Sequence, residues 1–296
     1  MVWYDMAFTT LISTAVLASH LDEAIIVDCR SKLDDEAWGE QEYAASHIPG
    51  AVYADLNRDL SGPKTGTNGR HPLPDPHALA RTFGRLGIAS GVQVVVYDQD
   101  TGAWASRLWW LLRWLGHDAV AVLDGGFAKW TAEGRPTTSG SEYRAAREFT
   151  GMPRVGMSVD VATVASRLGS RDWRLVDARA PERFRGEKEP IDRTPGHIPG
   201  AVNHFFGGNL AADNTFRTPE ELRARFAPAL GGAPPDRVIC YCGSGVTACH
   251  NLLALEHAGI TGAKLYVGSW SEWSADPARP IETGESGNRV IGGLGD

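Results

Sequence analysis

The hexapeptide His47-Ile48-Pro49-Gly50-Ala51-Val52 is written again, letter for letter, as His197-Ile198-Pro199-Gly200-Ala201-Val202, 150 residues downstream. Other landmarks keep nearly the same offset. Asp28-Cys29-Arg30 returns as Asp177-Ala178-Arg179 after 149 residues, Val96-Tyr97-Asp98 as Cys240-Tyr241-Cys242 after 144, and Gly116 as Gly259 after 143. Four landmarks in one order at one spacing indicate two copies of a single structural unit, and 296 residues suffice for two domains of ordinary size. The expected organisation is a first domain at 1–137, a linker at 138–156 rich in Ser, Gly, Thr and charge, a second domain at 157–283, and a glycine-rich flexible tail at 284–296.

Each copy is expected to open on a helix. In the first, residues 7–21 are apolar but interrupted by Thr9, Thr10, Ser13 and Thr14, with no Lys or Arg before Arg30, so they read as an amphipathic helix rather than a secretion signal. In the second, Val161, Val164, Ala165 and Leu168 form a helical stripe behind a possible Ser158 cap. Short apolar strands are expected at 24–27 and 174–176, then at 92–97 and 238–241 beyond the repeated turn and a second helix. A last pair, at 119–123 and 263–267, runs into Gly125-Gly126 or Gly268-Ser269. Apolar strands without strict alternation, separated by helices, predict an α/β fold: in each half, a parallel sheet covered by helices on both faces.

The copies differ where chemistry is possible. The second has Cys242 at the end of its strand where the first has Asp98, and Cys242 is followed by Gly243-Ser244-Gly245-Val246-Thr247 and a helix-like run to Ala258. Two glycines let the backbone curl so that several N–H groups face one small volume, and the positive end of the next helix adds to that field. Such a loop favours a thiolate, the nucleophilic form of cysteine. Cys29, Cys240 and Cys249 read as small buried hydrophobes. A zinc site from Cys240, Cys242, Cys249 and His250 lacks the second paired arm of structural zinc sites.

Net charge is −7 with both signs interspersed, which leaves no basic face for nucleic acid or an anionic membrane; an anionic substrate would need locally placed arginines. Four cysteines in a chain this long make no disulfide framework, and a nucleophilic thiol is useful where it stays reduced. With no run long enough to span a bilayer, the expected compartment is the cytoplasm.

Paired Asp-x-Arg strand ends, paired His-Ile-Pro-Gly-Ala-Val turns, a Cys-Gly-Ser-Gly-Val-Thr loop in the second half alone and Gly268-Ser269-Trp270 downstream resemble the two-domain rhodanese family, in particular its mercaptopyruvate sulfurtransferase branch. The resemblance spans roughly residues 21–281 and implies two tandem rhodanese-like domains, the first non-catalytic, the second carrying sulfur as a persulfide on Cys242. The donor would be mercaptopyruvate, with thiosulfate the alternative; the acceptor would be a thiol such as thioredoxin or a small thiol, or cyanide. A non-catalytic module that merely binds anions or sulfur is the rival from another class. Neither metal nor organic cofactor is required. Related phosphatases use Cys-x5-Arg, whereas Ala248 stands six positions after Cys242. Thiosulfate-preferring relatives carry basic residues where this loop has Gly243 and Ser244. By resemblance, Gly243, Gly245, Val246 and Thr247 line the substrate, Arg183 holds its carboxylate, and Arg193 is similar to a second such arginine, one residue beyond the expected spacing. Ser244, His71 and Asp55 would form the acid–base set. His47 and His197, present in both halves, suggest a structural job.

Overall fold

The computed structural model describes residues 7–285. Five strands form the first sheet: β1 (Leu11–Ile12), β2 (Ile25–Asp28), β3 (Val52–Tyr53), β4 (Val94–Tyr97) and β5 (Val120–Leu123). Their order is β1-β5-β4-β2-β3, and every pair is parallel. The second sheet repeats this with β6 (Ser158–Val159), β7 (Arg174–Asp177), β8 (Val202–Asn203), β9 (Val238–Tyr241) and β10 (Lys264–Tyr266), in the order β6-β10-β9-β7-β8. Helices connect them: α1 (Thr14–Ala18), α2 (Trp38–Ala45), α3 (Pro76–Arg85), α4 (Ala105–Trp114) and α5 (Gly126–Ala132) in the first half. The second half has α6 (Val161–Ala165), α7 (Pro181–Phe184), α8 (Pro219–Leu230), α9 (Thr247–His257) and α10 (Ser269–Trp273).

The central strands are buried on both faces, which explains why they read as unbroken apolar runs. Alternate residues of β4 enter different cores: Val94 and Val96 pack into one, Val95 and Tyr97 into the other. In β9, Val238 and Cys240 share a core with the first half, while Ile239 and Tyr241 pack separately on Trp270 and Trp273. The shared core is continuous through α4 and α9, so the two halves meet on apolar side chains rather than across a wet cleft.

The repeated motifs have the same physical task in each copy. Arg30 and Arg179 each pair with the aspartate two residues earlier at 2.7 Å, and each also donates to a turn carbonyl, Ser46 O at 2.6 Å and Gly196 O at 2.7 Å. His47 and His197 each bond a helix-end carbonyl through Nδ1 at 2.7 Å, Tyr43 O and Phe184 O respectively. These buried pairs pin the turn to the strand end.

Two local expectations fail. Residues 7–21 do not form one helix: Leu11 and Ile12 pair with Val122 and Leu123 as an edge strand, and Ser13 then caps the short α1 by accepting from Val16 N at 3.3 Å. Likewise Ser158 lies in β6, and the cap of α6 is Asp160, which accepts from Thr163 N at 2.8 Å. In the first place a two-residue strand takes part of the expected helix, and in the second it takes the expected cap. Residues 138–156 run back over the first half, with Thr138 bridged to His47 and Phe149 buried edge-on against Phe83. Of the expected tail, 286–296 lies outside the described residues, and Gly284 N bonds Arg185 O at 2.9 Å.

Candidate active site

Strand β9 ends at Tyr241, and Cys242 follows with its side chain 2% exposed. The loop turns at Gly245, whose φ of +77° suits glycine, and a Cβ there would stand 2.3 Å from Val267 O, so no other residue fits. The turn brings Gly245 N to 3.1 Å from Cys242 Sγ, which accepts its hydrogen bond. This is the one hydrogen bond to the sulfur among the described residues. Several amides had been expected. The N–H groups of Gly243, Ser244 and Val246 have no acceptor among the described residues, which leaves them for an anion brought by a substrate.

The first half shows what such a loop holds when it supplies its own anion. Asp98, at the position of Cys242, is buried and accepts from Asp100 N, Gly102 N, Trp104 N and Ala105 N at 2.7 to 3.2 Å. A fixed carboxylate fills that loop permanently. In the second half a thiol stands in its place. Burial pushes the other three thiols up, Cys249 to about 12, so they stay protonated, and Cys249 donates to Gly245 O at 3.3 Å.

The first half also reaches over the loop. Between β3 and α3 the chain lies along the Cys242 loop and α10: Arg70 N bonds Ser271 Oγ at 3.0 Å, and His71 Nδ1 is 2.8 Å from Ser244 Oγ. Burial, with the nearby Arg107 and Arg70 charges, lowers the His71 pKa to about 3, so its imidazole is neutral. Arg107, from α4 and wholly buried, donates to Gly245 O at 3.1 Å and His71 O at 3.0 Å. One guanidinium thus fastens the Cys242 loop of one half to the histidine segment of the other.

Asp55 is not joined to this set. Its carboxylate accepts from Arg58 N at 2.7 Å and lies 3.5 Å from Tyr53 OH, and no hydrogen bond links it to His71 among the described residues. It stabilises the turn after β3. Val246 is buried and ends the loop as the N-cap residue of α9, and Thr247 begins that helix half-buried.

The two predicted arginines separate. Arg183 lies beside the loop, its Nη2 2.7 Å from Glu189 Oε1 and 3.2 Å from Asp192 Oδ2. A Cβ on Gly243 would lie 3.6 Å from both terminal nitrogens of Arg183 and 2.8 Å from Nη2 of Arg70, so glycine here admits the guanidinium groups. Arg193 is exposed and makes no ion pair among the described residues. The residue before it, Asp192, is turned inward between Arg70 and Arg183. Burial pushes the Asp192 carboxyl up against the pull of those arginines.

Sequence reasoning missed Arg70, Arg107, Asp192 and Ser269. Ser269 has a signal in the repeat, because it replaces Gly126: both adopt left-handed backbone, φ of 59° at Gly126 and 53° at Ser269. The strained serine uses its hydroxyl, which accepts from Cys242 N at 3.1 Å and donates to Tyr266 O at 2.9 Å. A neighbouring cavity of about 460 Å³, lined by Asn68, Pro72, Leu73, Asp160 and Glu272 among others, does not include Cys242. Among the described residues no cluster of His, Cys, Asp and Glu is arranged to hold a metal ion; His250 instead spends its ring nitrogens on Asn209 and on Thr101 O of the first half.

The model of the Rhodanese-like domain matches this sequence twice, over residues 13–133 and 160–276. The chain belongs to the rhodanese family. Its rhodanese relatives include a Pseudomonas aeruginosa protein named "Probable 3-mercaptopyruvate sulfurtransferase", 49% identical across 95% of this chain and 100% of that one. Thiosulfate sulfurtransferase of Mus musculus is 34% identical over 96% of this chain and 99% of that one. Among solved rhodanese structures, 3-mercaptopyruvate sulfurtransferase from Leishmania major superposes with a TM-score of 0.80 at 32% identity, covering 90% of this chain and 74% of that one. Both halves carry the rhodanese fold, and among the described residues no helix is long and apolar enough to cross a membrane.

Proposed function

We propose that this rhodanese is a sulfurtransferase that takes sulfur from 3-mercaptopyruvate onto Cys242 as a persulfide, releases pyruvate, and passes the sulfur to a thiol or to cyanide. The observation that carries the reading is the grouping of Cys242, Ser244 and His71, built from both halves around one loop, with Ser244 Oγ 2.8 Å from a neutral imidazole.

The Cys242 thiolate attacks the donor's sulfur. An S–S bond forms as the C–S bond breaks, and the electron pair leaves as the enolate of pyruvate. The enolate carbon takes one proton, which the donor's own S–H supplies by way of the Ser244 hydroxyl, with His71 orienting that hydroxyl. The loop amides and the positive end of α9 carry the charge of the persulfide. In the second half-reaction an acceptor thiolate attacks the outer sulfur, restoring the Cys242 thiolate and leaving as a persulfide; cyanide leaves as thiocyanate. Asp55 has no step in this scheme. The work belongs in a reducing compartment, where Cys242 stays a thiol between turnovers.

Thiosulfate is the competing donor, and the mouse relative carries its name. Comparing kcat/KM for the two donors with cyanide as common acceptor decides between them. The neutral Gly243-Ser244 pair in the loop predicts at least about tenfold preference for mercaptopyruvate; equal or reversed efficiencies would assign the enzyme to thiosulfate.

A further inference from the structure

Arg107 carries a charge that no carboxylate balances among the described residues. It lies on α4, wholly buried, and its terminal nitrogens donate to carbonyl oxygens of both halves: Gly245 at 3.1 Å, His71 at 3.0 Å, and Leu60 and Pro72 at 3.5 Å. Its Nε–H is buried without an acceptor among the described residues. Carbonyl dipoles satisfy a guanidinium's donors, but a buried net charge is costly until an opposite charge stands near it. The other charged groups around the loop are already matched. Asp59, beside Leu60, is held by Arg58 and Arg85, and Arg70 and Arg183 share Asp192. Asp98 accepts from backbone amides, and His71 is neutral. What remains is sulfur. Burial pulls the pKa of Arg107 down, and the groups that oppose it are Cys249 and Cys242. Cys249 donates its S–H to Gly245 O and, like Cys240, is pushed up by burial, so both stay thiols. The Cys242 sulfur instead accepts a hydrogen bond, from Gly245 N–H. Arg107 bonds the carbonyl of that same Gly245, which shares a peptide plane with the Val246 N–H, so the guanidinium strengthens that free donor too.

We infer that Arg107 is the counter-charge of the Cys242 sulfur, thiolate before the reaction and persulfide during it, supplied by the first half to a loop of the second. With no exposed surface it touches no donor. It is a positioning residue, acting through the Gly245–Val246 peptide and through its field, which is screened far less inside the protein than at the surface. For the persulfide this rests on the reaction proposed above; for the thiolate it needs no donor. The first half, whose own loop holds Asp98 in place of a nucleophile, thereby takes part in the chemistry from the side that the substrate never meets.

The test uses the full chain without donor. Ultraviolet thiolate absorbance is followed against pH, with Cys242→Ser subtracted to remove the other thiols. Arg107→Gln removes the charge and keeps donors for the carbonyls, so the rise of the Cys242 signal should move upward by about one pH unit or more. Arg107→Lys keeps the charge and loses the fork; its signal should stay within about a third of a unit of wild type even if thermal stability suffers. An arginine that only fastens the loop predicts otherwise. An unmoved signal in Arg107→Gln, or equal shifts in Arg107→Gln and Arg107→Lys, overturns the inference. Should Arg107→Gln not fold, nitrogen-15 NMR of the wild-type chain decides, because coupling between two charges is reciprocal. The Arg107 Nε–H resonance should shift over the pH range in which the Cys242 thiolate appears and stay still in Cys242→Ser, whereas a resonance indifferent to that sulfur overturns the inference. A shifted thiolate in Arg107→Gln, in a protein that takes no sulfur from mercaptopyruvate, would uphold the counter-charge and discard the donor.

Discussion

At the scale of single residues, the difference between the two loops could be read from sequence, because Cys242 stands where the first copy has Asp98. Asp98 sits in the first loop with four backbone amides on its carboxylate, and Cys242 takes the matching turn with one amide on its sulfur. Arg70, Arg107 and Asp192 could not be read. Their roles depend on approach across more than a hundred residues of chain, and nothing in their immediate neighbours announces it. Ser269 lies between these cases, since its exchange with Gly126 is visible but its use is not. It yields a prediction with two arms. Ser269→Gly relieves left-handed strain of about 1 kcal/mol while removing the bond to Cys242 N, so the melting temperature should hold or rise while persulfide formation slows severalfold. Ser269→Ala keeps the strain and loses the bond, and should lower both. Stopped-flow formation of pyruvate together with thermal unfolding measures the two; a Gly variant with wild-type rate would show that the hydroxyl does not position the cysteine.

At the scale of elements, four-residue strands buried on both faces were legible as apolar runs, and β4 and β9 lie within the stretches that the runs predict. The two-residue edge strands β1, β3, β6 and β8 were not, because two residues carry no periodicity and are fixed by the neighbour they pair with. The same cause misplaced the start of α6, which Asp160 caps after β6 has taken Ser158. Asp160→Ala should therefore destabilise the protein by about 1 kcal/mol, read as a shift in denaturant midpoint, whereas Ser158→Ala should cost less than half as much. Equal losses would return the cap to Ser158.

At the scale of the whole molecule, the halves are held by a shared apolar core and by buried polar links that bear on the site: His71 to Ser244, Arg107 to Gly245, and His250 to Thr101 O. Burial lowers the pKa of His71 and of His250 to about 3 from an ordinary 6.5. A folded-state pKa below the unfolded one contributes stability that is present above pH 6.5 and is lost as pH falls towards 3, because the unfolded chain binds the extra protons. Asp124, pushed up to about 6 by burial, acts in the opposite sense between its ordinary 3.8 and that value. Burial lowers His117, His197, His204 and His257 as well, and raises Asp28, Asp98, Asp192 and Glu256 alongside Asp124. The ordinary histidine value lies between pH 5 and pH 7.5 and the ordinary carboxylate values lie below that interval, so the denaturation midpoint should fall from pH 7.5 to pH 5, and His250→Gln should flatten that slope while lowering stability at pH 7.5. A midpoint that rises on acidification would contradict the neutral buried histidines. The repeat made the two-domain architecture readable from the sequence; the coupling between the halves, on which the site depends, appears only when they are packed together.

The central claim is that one sulfur atom of the donor becomes bonded to Cys242. Intact-protein mass measured after brief exposure to mercaptopyruvate, without an acceptor, tests it most directly. The wild-type chain should gain the mass of one sulfur atom, lose it on addition of cyanide or a thiol, and release one pyruvate per chain in the first turnover, while Cys242→Ser gains nothing. An unchanged wild-type mass alongside steady pyruvate release, or an equal gain in Cys242→Ser, would contradict the account.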